Sequence, residues 1–193
     1  DSLVNVNGDI IPAFKFNQRK AALAGLEAKL DIHPHPLDWL HFQNSFSYVA
    51  GRLQTAIEGT KNLPFIPAPK LLTELKADFK KVGKNFSNCY IKFEVENNFR
   101  QNKVFTAFNT ETTTAAYTLL HAGFGTAVIN KRGVELFTLN LSVNNIADIA
   151  YQNHLSRLKY AAENLATGRT GVYNMGRNVS IRLNVPLSFS IKQ

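Results

Sequence analysis

The chain has 193 residues, a net charge of +8, 45% hydrophobic residues and a single cysteine, Cys89. This length fits one domain, and one cysteine excludes an internal disulfide framework. No run of about 18 apolar residues occurs, so no transmembrane helix is expected, and no basic cluster with interleaved aromatic residues supports binding to nucleic acid.

Taken in chain order, apolar and polar residues alternate in six segments, which predicts β-strands with one apolar and one polar face. These predicted strands cover residues 22–32, 40–50, 71–79, 91–99, 137–143 and 179–191. The stretch 113–128 is β-prone with less regular faces, and Pro12 weakens a short strand around 10–16. The last strand is apolar at every odd position for thirteen residues. Soluble domains average about 5–6 residues per strand, whereas a transmembrane β-strand needs roughly 9–11.

Charge is confined to one face of these predicted strands. No charged residue falls on an apolar face, and ten lie on the opposite faces: Glu27, Lys29, Asp31, Glu74, Lys76, Asp78, Lys92, Glu94, Glu96 and Arg182. A soluble antiparallel sheet with one face on a core gives the same alternation. The length of the strands and the lengths of the connections distinguish a soluble sheet from a membrane-spanning β-barrel.

Short and long connections alternate along the chain. Residues 33–38, 81–88 and 129–133 form short segments, whereas 51–69, 101–112 and 146–176 are long. In an antiparallel sheet successive connections lie at opposite ends of the strands, so one rim receives the turns and the other the loops. Outer-membrane barrels have this asymmetry, with short periplasmic turns and longer external loops.

Several motifs resemble the C-terminal barrel portion of TonB-dependent outer-membrane receptors. They are Gly-Leu-Glu at 25–27, Asn-Leu-Pro-Phe-Ile-Pro-Ala-Pro at 62–69, Asn-Asn-Ile-Ala-Asp at 144–148 followed by Tyr151, and Gly-Arg-Asn at 176–178 opening a strand that ends near Phe189. The resemblance covers nearly the whole chain, 1–193, and the motifs occur in the same order as in that family. The chain departs from the family pattern at its end, because Ile-Lys-Gln follows Phe189 where a terminal aromatic residue is expected.

The resemblance implies an all-β fold: an antiparallel transmembrane segment of seven or eight strands from an up-and-down barrel of about 22 strands. It also implies a receptor of the outer membrane of a Gram-negative bacterium, which imports a scarce nutrient with energy from the TonB complex. The plug domain and TonB box of that family have no counterpart in these residues, nor does a signal peptide, which we expect to be absent or already removed. The resemblance implies a cargo such as a ferric siderophore or similar iron chelate, haem, cobalamin or a glycan. The net positive charge favours an anionic cargo such as a ferric chelate, and it is equally explained by contacts with anionic lipid headgroups.

The longest loop contains the candidate substrate-binding residues, a cationic and aromatic mix suited to an anionic chelate. They are His154, Arg157, Lys159, Tyr160 and Arg169. The alternative is that these residues only cover the barrel mouth. The Gly-Arg-Asn and Asn-Asn-Ile-Ala-Asp motifs are interpreted as structural, the first as a hinge into a strand and the second as Asx turns.

No catalytic or cofactor site is expected. The sequence contains neither Gly-x-Ser-x-Gly nor His-Glu-x-x-His, and His33 with His35 forms an incomplete metal-ligand set in a proline-rich turn. Trp39 and Tyr90 begin strands beside short turns and are expected in an aromatic girdle that faces lipid. Two alternatives stay open: a small structural outer-membrane barrel or adhesin, and a soluble β-sandwich or lipocalin-like binding protein.

Overall fold

The computed structural model describes residues 2–6, 9–13 and 18–187, and they form an all-β fold. The strands are β1 Ser2–Val6, β2 Asp9–Ala13, β3 Ala21–Ile32, β4 Leu40–Ile57, β5 Thr60–Asn62, β6 Lys70–Val82, β7 Phe86–Asn98, β8 Tyr117–Ile129, β9 Glu135–Asn144, β10 Glu163–Asn164, β11 Arg169–Thr170 and β12 Asn178–Asn184. Two short 3₁₀ turns, Ala107–Asn109 and Arg157–Tyr160, lie in the long connections. Within the described residues, no helix is both long and apolar enough to cross a membrane.

The main sheet has eight antiparallel strands in the order β12-β9-β8-β7-β6-β4-β3, with β5 paired to β4. Each long strand pairs with the next one along the chain, which confirms the predicted antiparallel meander. The hairpins β1–β2 and β10–β11 form separate two-stranded sheets. In the part of the chain that the structure describes, β3 and β12 are the two edges of the main sheet and do not pair with each other. The sheet is therefore open, and its closure into a barrel stays a prediction.

The register confirms the predicted apolar face. Residues directly opposite each other in antiparallel strands share a face, so apolar positions align into rows across the sheet. One row contains Val179, Val143, Ala122, Phe93, Leu75, Phe42 and Ile32. A second row contains Ile181, Leu141, Phe124, Ile91, Ala77 and Leu40.

The charged residues pair with one another across the opposite face, as the alternation predicts. Lys92 binds the carboxylates of Glu74 and Glu94, and Lys70 Nζ lies 2.7 Å from Glu96. Across this face the register places Glu74 opposite Glu94 and Lys76 opposite Lys92. Because like charges stand directly opposite, the stabilising contacts are diagonal ones between strands, Lys92–Glu74 and Lys70–Glu96, and the Lys92–Glu94 contact along β7.

Several predicted boundaries were wrong: β7 begins at Phe86 rather than at 91, and β8 begins at Tyr117 rather than at 113. Two further errors have an evident cause. The last strand ends at Asn184, while the predicted positions 188–191 lie outside the described residues. Pro186 has no backbone N–H to donate to a ladder, which explains why the alternation outlasts the pairing. In the other direction, β4 continues to Ile57 and turns back into β5, so the first half of the predicted loop 51–69 is strand.

The predicted position of Tyr90 on the apolar face was also wrong. Tyr90 lies opposite Asp78 and Gly125, and its hydroxyl donates to Asn140 Oδ1 at 3.1 Å. All of these positions belong to the polar face. Period two itself places Tyr90 with Lys92 rather than with Ile91. Trp39 stacks on Phe79 with ring centroids 5.7 Å apart.

Candidate functional site

The three long connections meet at one rim of the sheet and pack together. We call this the loop cluster: residues 58–69, 99–116 and 145–177. A small apolar core of Leu53, Phe105 and Ala107, with Ile57 and Leu63 packed against it, joins the first two connections to the end of β4. The short connections 33–39, 83–85 and 130–134 lie at the opposite rim, as the loop lengths predict.

A buried carboxylate holds the first two loops together. Glu111 is 4% exposed and accepts hydrogen bonds from the backbone N–H of Phe65 at 2.7 Å and of Phe105 at 2.9 Å. Gln101 is equally buried and donates its amide to the carbonyl oxygens of Ile66 and Pro67, both at 3.0 Å. Backbone groups that no strand satisfies are therefore bound by side chains, which fixes the loop conformation.

Two of the five candidate residues, His154 and Lys159, are buried against the second loop. Lys159 Nζ donates to the Thr112 carbonyl at 2.9 Å and to Thr114 Oγ1 at 2.8 Å. Because Thr114 Oγ1 accepts from Lys159, its own hydroxyl can donate to His154 Nδ1, which lies 2.8 Å away. Burial lowers the pKa of His154, and the nearby ammonium of Lys159 acts in the same direction, so the imidazole is neutral at pH 7.

The other three candidate residues are exposed. The Arg157 guanidinium lies 4.0 Å from the centre of the Phe65 ring, and the Tyr160 hydroxyl accepts from the Thr112 N–H at 3.1 Å. Arg169 belongs to the β10–β11 hairpin and lies 5.1 Å from the centre of the Tyr173 ring. The structure thus brings four candidates together against the first two loops and places Arg169 on the separate hairpin. Their contact with a ligand stays a prediction.

Two cavities adjoin these residues. One of about 240 Å³ is lined by residues 112–117, Tyr151, Lys159 and Tyr173. Another of about 160 Å³ lies between the polar face and the loops, where Lys70, Glu96 and His154 meet. Pockets for drug-sized ligands are usually about 300–1,000 Å³. A bulky ligand would therefore contact the outer surface of the loop cluster or the polar face rather than enter either cavity.

The two family-like motifs contact each other at the base of the third loop. The carboxylate of Asp148 accepts from the backbone N–H of Arg177 at 2.8 Å, and Arg177 Nε donates to the carbonyl oxygen of Ile146 at 2.9 Å. Asn145 is 3% exposed and exchanges two hydrogen bonds with the backbone of Ile149. These contacts support the structural interpretation of both motifs, as a hinge and an Asx-type turn.

Sequence reasoning missed two groupings. Glu111 carries no motif that would have marked it as a ligand for loop backbone. His33 and His35 are neighbours in the sequence, but the His35 side chain is 88% exposed beside Asp38, whereas His33 lies beside Asp31 and His41. Only the strand register brings His33 and His41 together, because eight positions separate them in the chain.

Comparison with known proteins gives no family: no protein-family model matches this chain, and no curated protein matches it. The resemblance to TonB-dependent receptors rests on the motifs, and membership of that family stays a prediction.

Proposed function

We propose that this chain is part of the barrel of an outer-membrane receptor of the TonB-dependent kind, which imports a scarce nutrient across the outer membrane of a Gram-negative bacterium. The observation that carries the proposal is the apolar face of the sheet, which the described residues leave uncovered. Leu75, Phe93, Ile91 and Phe124 are 46%, 43%, 57% and 39% exposed, although they lie in central strands. Monomeric soluble proteins rarely expose contiguous apolar patches of more than a few hundred Å².

Lipid removes the cost of this exposure. Transfer of apolar surface out of water is worth about 25 cal/mol per Å². The apolar side chains form one row across seven strands and a second row across six. The strands that carry the rows are long enough to cross a bilayer: β6, β7 and β8 have 13 residues each. About 9–11 tilted residues suffice for a transmembrane strand.

Two pairs of polar side chains on the apolar face are hydrogen-bonded to each other. Thr73 Oγ1 donates to Asn44 Oδ1 at 2.7 Å, and Thr118 Oγ1 donates to Asn97 Oδ1 at 2.8 Å. Each pair consists of directly opposite residues on neighbouring strands. In hydrocarbon an unpaired polar group costs several kcal/mol, whereas in water the same group needs no protein partner. The pairing supports a lipid environment for this face.

The open sheet supports a barrel with more strands than the described residues provide. Both edge strands, β3 and β12, present backbone groups that need a partner in a membrane. A receptor barrel of about 22 strands would supply those neighbours. The plug and the segment that contacts the TonB complex would then belong to other parts of the protein. A soluble sandwich would instead require a second layer over the apolar face.

The loop cluster would lie outside the cell and contact the cargo, and the protein would bind and transport without catalysis or a cofactor. The exposed candidates Arg157, Tyr160 and Arg169 offer two cations and a phenol to an anionic iron chelate. His154 and Lys159 are buried and would position this surface. Arg157→Glu and Arg169→Glu should each weaken binding of ferric chelates to the intact receptor. Arg132→Glu, an exposed cation of the opposite rim, is the matched control.

Spin labels can test which face meets lipid. Ala28 lies on the apolar face and Ser45 on the polar face of the same strand pair, opposite Phe46 and Lys29 respectively. In intact protein with Cys89→Ser, a nitroxide at Ala28→Cys should be relaxed by oxygen, and one at Ser45→Cys by a water-soluble nickel chelate. Equal accessibility of both labels to the nickel chelate would contradict the membrane assignment.

A further inference from the structure

A second set of chemically active side chains lies at the short-turn rim, away from the loop cluster. Asp31, His33 and His41 each offer one metal-ligating atom, and these atoms all lie within 4.8 Å of one another. The imidazole rings of His33 and His41 meet edge to face, with centroids 4.4 Å apart. Two imidazoles and one carboxylate form a ligand set that proteins use for divalent transition metals.

The strand register explains why these residues meet. The β3–β4 ladder ends with Ile32 opposite Phe42, and one further step places His33 opposite His41. Asp31 lies two positions before His33, so it belongs to the same face. Pro34 and Pro36 restrict the backbone of the connecting turn, which limits the movement of one histidine away from the other.

Two further side chains hold the ligands. Gln43 Nε2 donates to Asp31 Oδ2 at 3.3 Å, which leaves Oδ1 directed at His33 Nε2, also 3.3 Å away. Asp78 Oδ2 lies 3.2 Å from His41 Nε2 and 2.8 Å from Lys76 Nζ. Metal-binding histidines commonly bond a carboxylate through the ring atom that does not face the ion, and this contact fixes the orientation of the ring.

We propose that Asp31, His33 and His41 bind one divalent transition-metal ion of the Zn²⁺ class at the short-turn rim. Ligand bonds of about 2.0–2.1 Å in a tetrahedral site place neighbouring ligand atoms about 3.3 Å apart. The Asp31–His33 pair already has that separation. The three ligand atoms lie within 4.8 Å of one another, so His41 must approach by up to about 1.5 Å to reach the tetrahedral spacing. The exposure of the Asp31 and His33 side chains, 39% and 50%, leaves them free to adjust. Water would occupy the fourth position.

The ion would cross-link the end of β3 to the start of β4. β3 is an edge strand of the sheet, and its terminal residues precede a turn of seven residues, 33–39. A bound ion stabilises the conformation that presents its ligands, by an amount that grows with its concentration. The site is separate from the proposed cargo surface, because the two lie at opposite rims. The inference therefore does not depend on the identity of the imported nutrient.

Metal titration of the intact protein tests the proposal. After treatment with EDTA, the protein in detergent should take up one Zn²⁺ per chain in competition with a chromophoric chelator. Co²⁺ should give the visible absorption bands of a four-coordinate site. His33→Ala and His41→Ala should each raise the dissociation constant at least tenfold. Asp78→Asn should raise it about 10- to 100-fold through loss of the supporting contact.

His35→Ala is the matched control, because it removes an imidazole from the same turn and lies outside the ligand set. It should leave the dissociation constant unchanged. Absence of stoichiometric Zn²⁺ uptake, or equal weakening by His35→Ala and His33→Ala, would overturn the proposal. Far-ultraviolet circular dichroism of each variant shows whether the sheet has folded, so lost binding can be separated from lost structure. The Co²⁺ spectrum of the unaltered protein tests the site without any substitution.

Discussion

A single arginine can distinguish a lipid-facing sheet from a water-facing one. Leu75 lies in the middle of β6, directly opposite Phe42 and Phe93, and is 46% exposed on the apolar face. Arginine near the midplane of a bilayer destabilises a transmembrane barrel by about 2–4 kcal/mol. That cost corresponds to about a 30- to 900-fold lower ratio of folded to unfolded protein. On a sheet surface in water the same change should stay within about 0.5 kcal/mol.

The strand also supplies the control. Leu72 lies three positions away on the opposite face, opposite Ser45 and Glu96, where an arginine meets a carboxylate. Leu72→Arg and Leu75→Arg are thus the same chemical change in one strand. Free energies of unfolding of the intact protein should be measured by guanidinium titration in phosphatidylcholine vesicles. We expect Leu75→Arg to be less stable than Leu72→Arg by at least about 1.5 kcal/mol, given the midplane cost. Equal free energies for the two variants would refute the reasoning.

Three further predictions concern the loops and the polar face. Glu111→Ala leaves two backbone N–H groups unpaired and should lower the free energy of local opening by about 2–4 kcal/mol, measured by hydrogen exchange, whereas the exposed Glu163→Ala should not. Gly125→Ala should cost about 1–3 kcal/mol in unfolding experiments, because its Cβ would overlap the Tyr90 ring; Gly123→Ala meets only the flexible Lys92 side chain and should be mild. Burial lowers the pKa of His154, so the unfolded loop binds a proton more readily than the folded one. The contribution of neutral His154 to loop stability should therefore be complete above about pH 6.5 and be lost as the pH falls below that value. Hydrogen exchange measured at pH 5 and pH 7.5 should show this pH dependence in the unaltered protein and not in His154→Asn.

Six of the strands, β3, β4, β6, β7, β9 and β12, could be predicted because their segments alternate strictly, so period two identifies both the element and its faces. Residues 22–32 coincide with β3 except for one residue. The boundary errors arise where pairing rather than composition decides. The alternation from Val179 outlasts β12 because Pro186 cannot take part in a ladder, and Ile57 extends β4 because β5 folds back on it.

The candidate site was less predictable because its contacts join residues far apart in sequence. Glu111 binds Phe65 across 46 positions, and Lys159 binds Thr112 across 47. No local pattern encodes such contacts. His33 and His41 meet only in the correct register, which a single sequence does not specify at a seven-residue turn. Composition could place cations in the longest loop, but it could not say that Lys159 would be buried and Arg157 exposed.

The burial of Lys159 affects how the loop cluster would bind a ligand. Burial of an ammonium costs several kcal/mol unless its protons are bound. Lys159 donates to two oxygens of the second loop and lies 4.9 Å from the centre of the Tyr160 ring, so its ammonium is hydrogen-bonded within the loop cluster. Such contacts order the third loop before any ligand arrives. A preordered loop loses less conformational entropy on binding, which raises affinity without a new contact. Under the proposed function, His154 and Lys159 would thus promote cargo binding by positioning Arg157 and Tyr160 rather than by contacting the chelate.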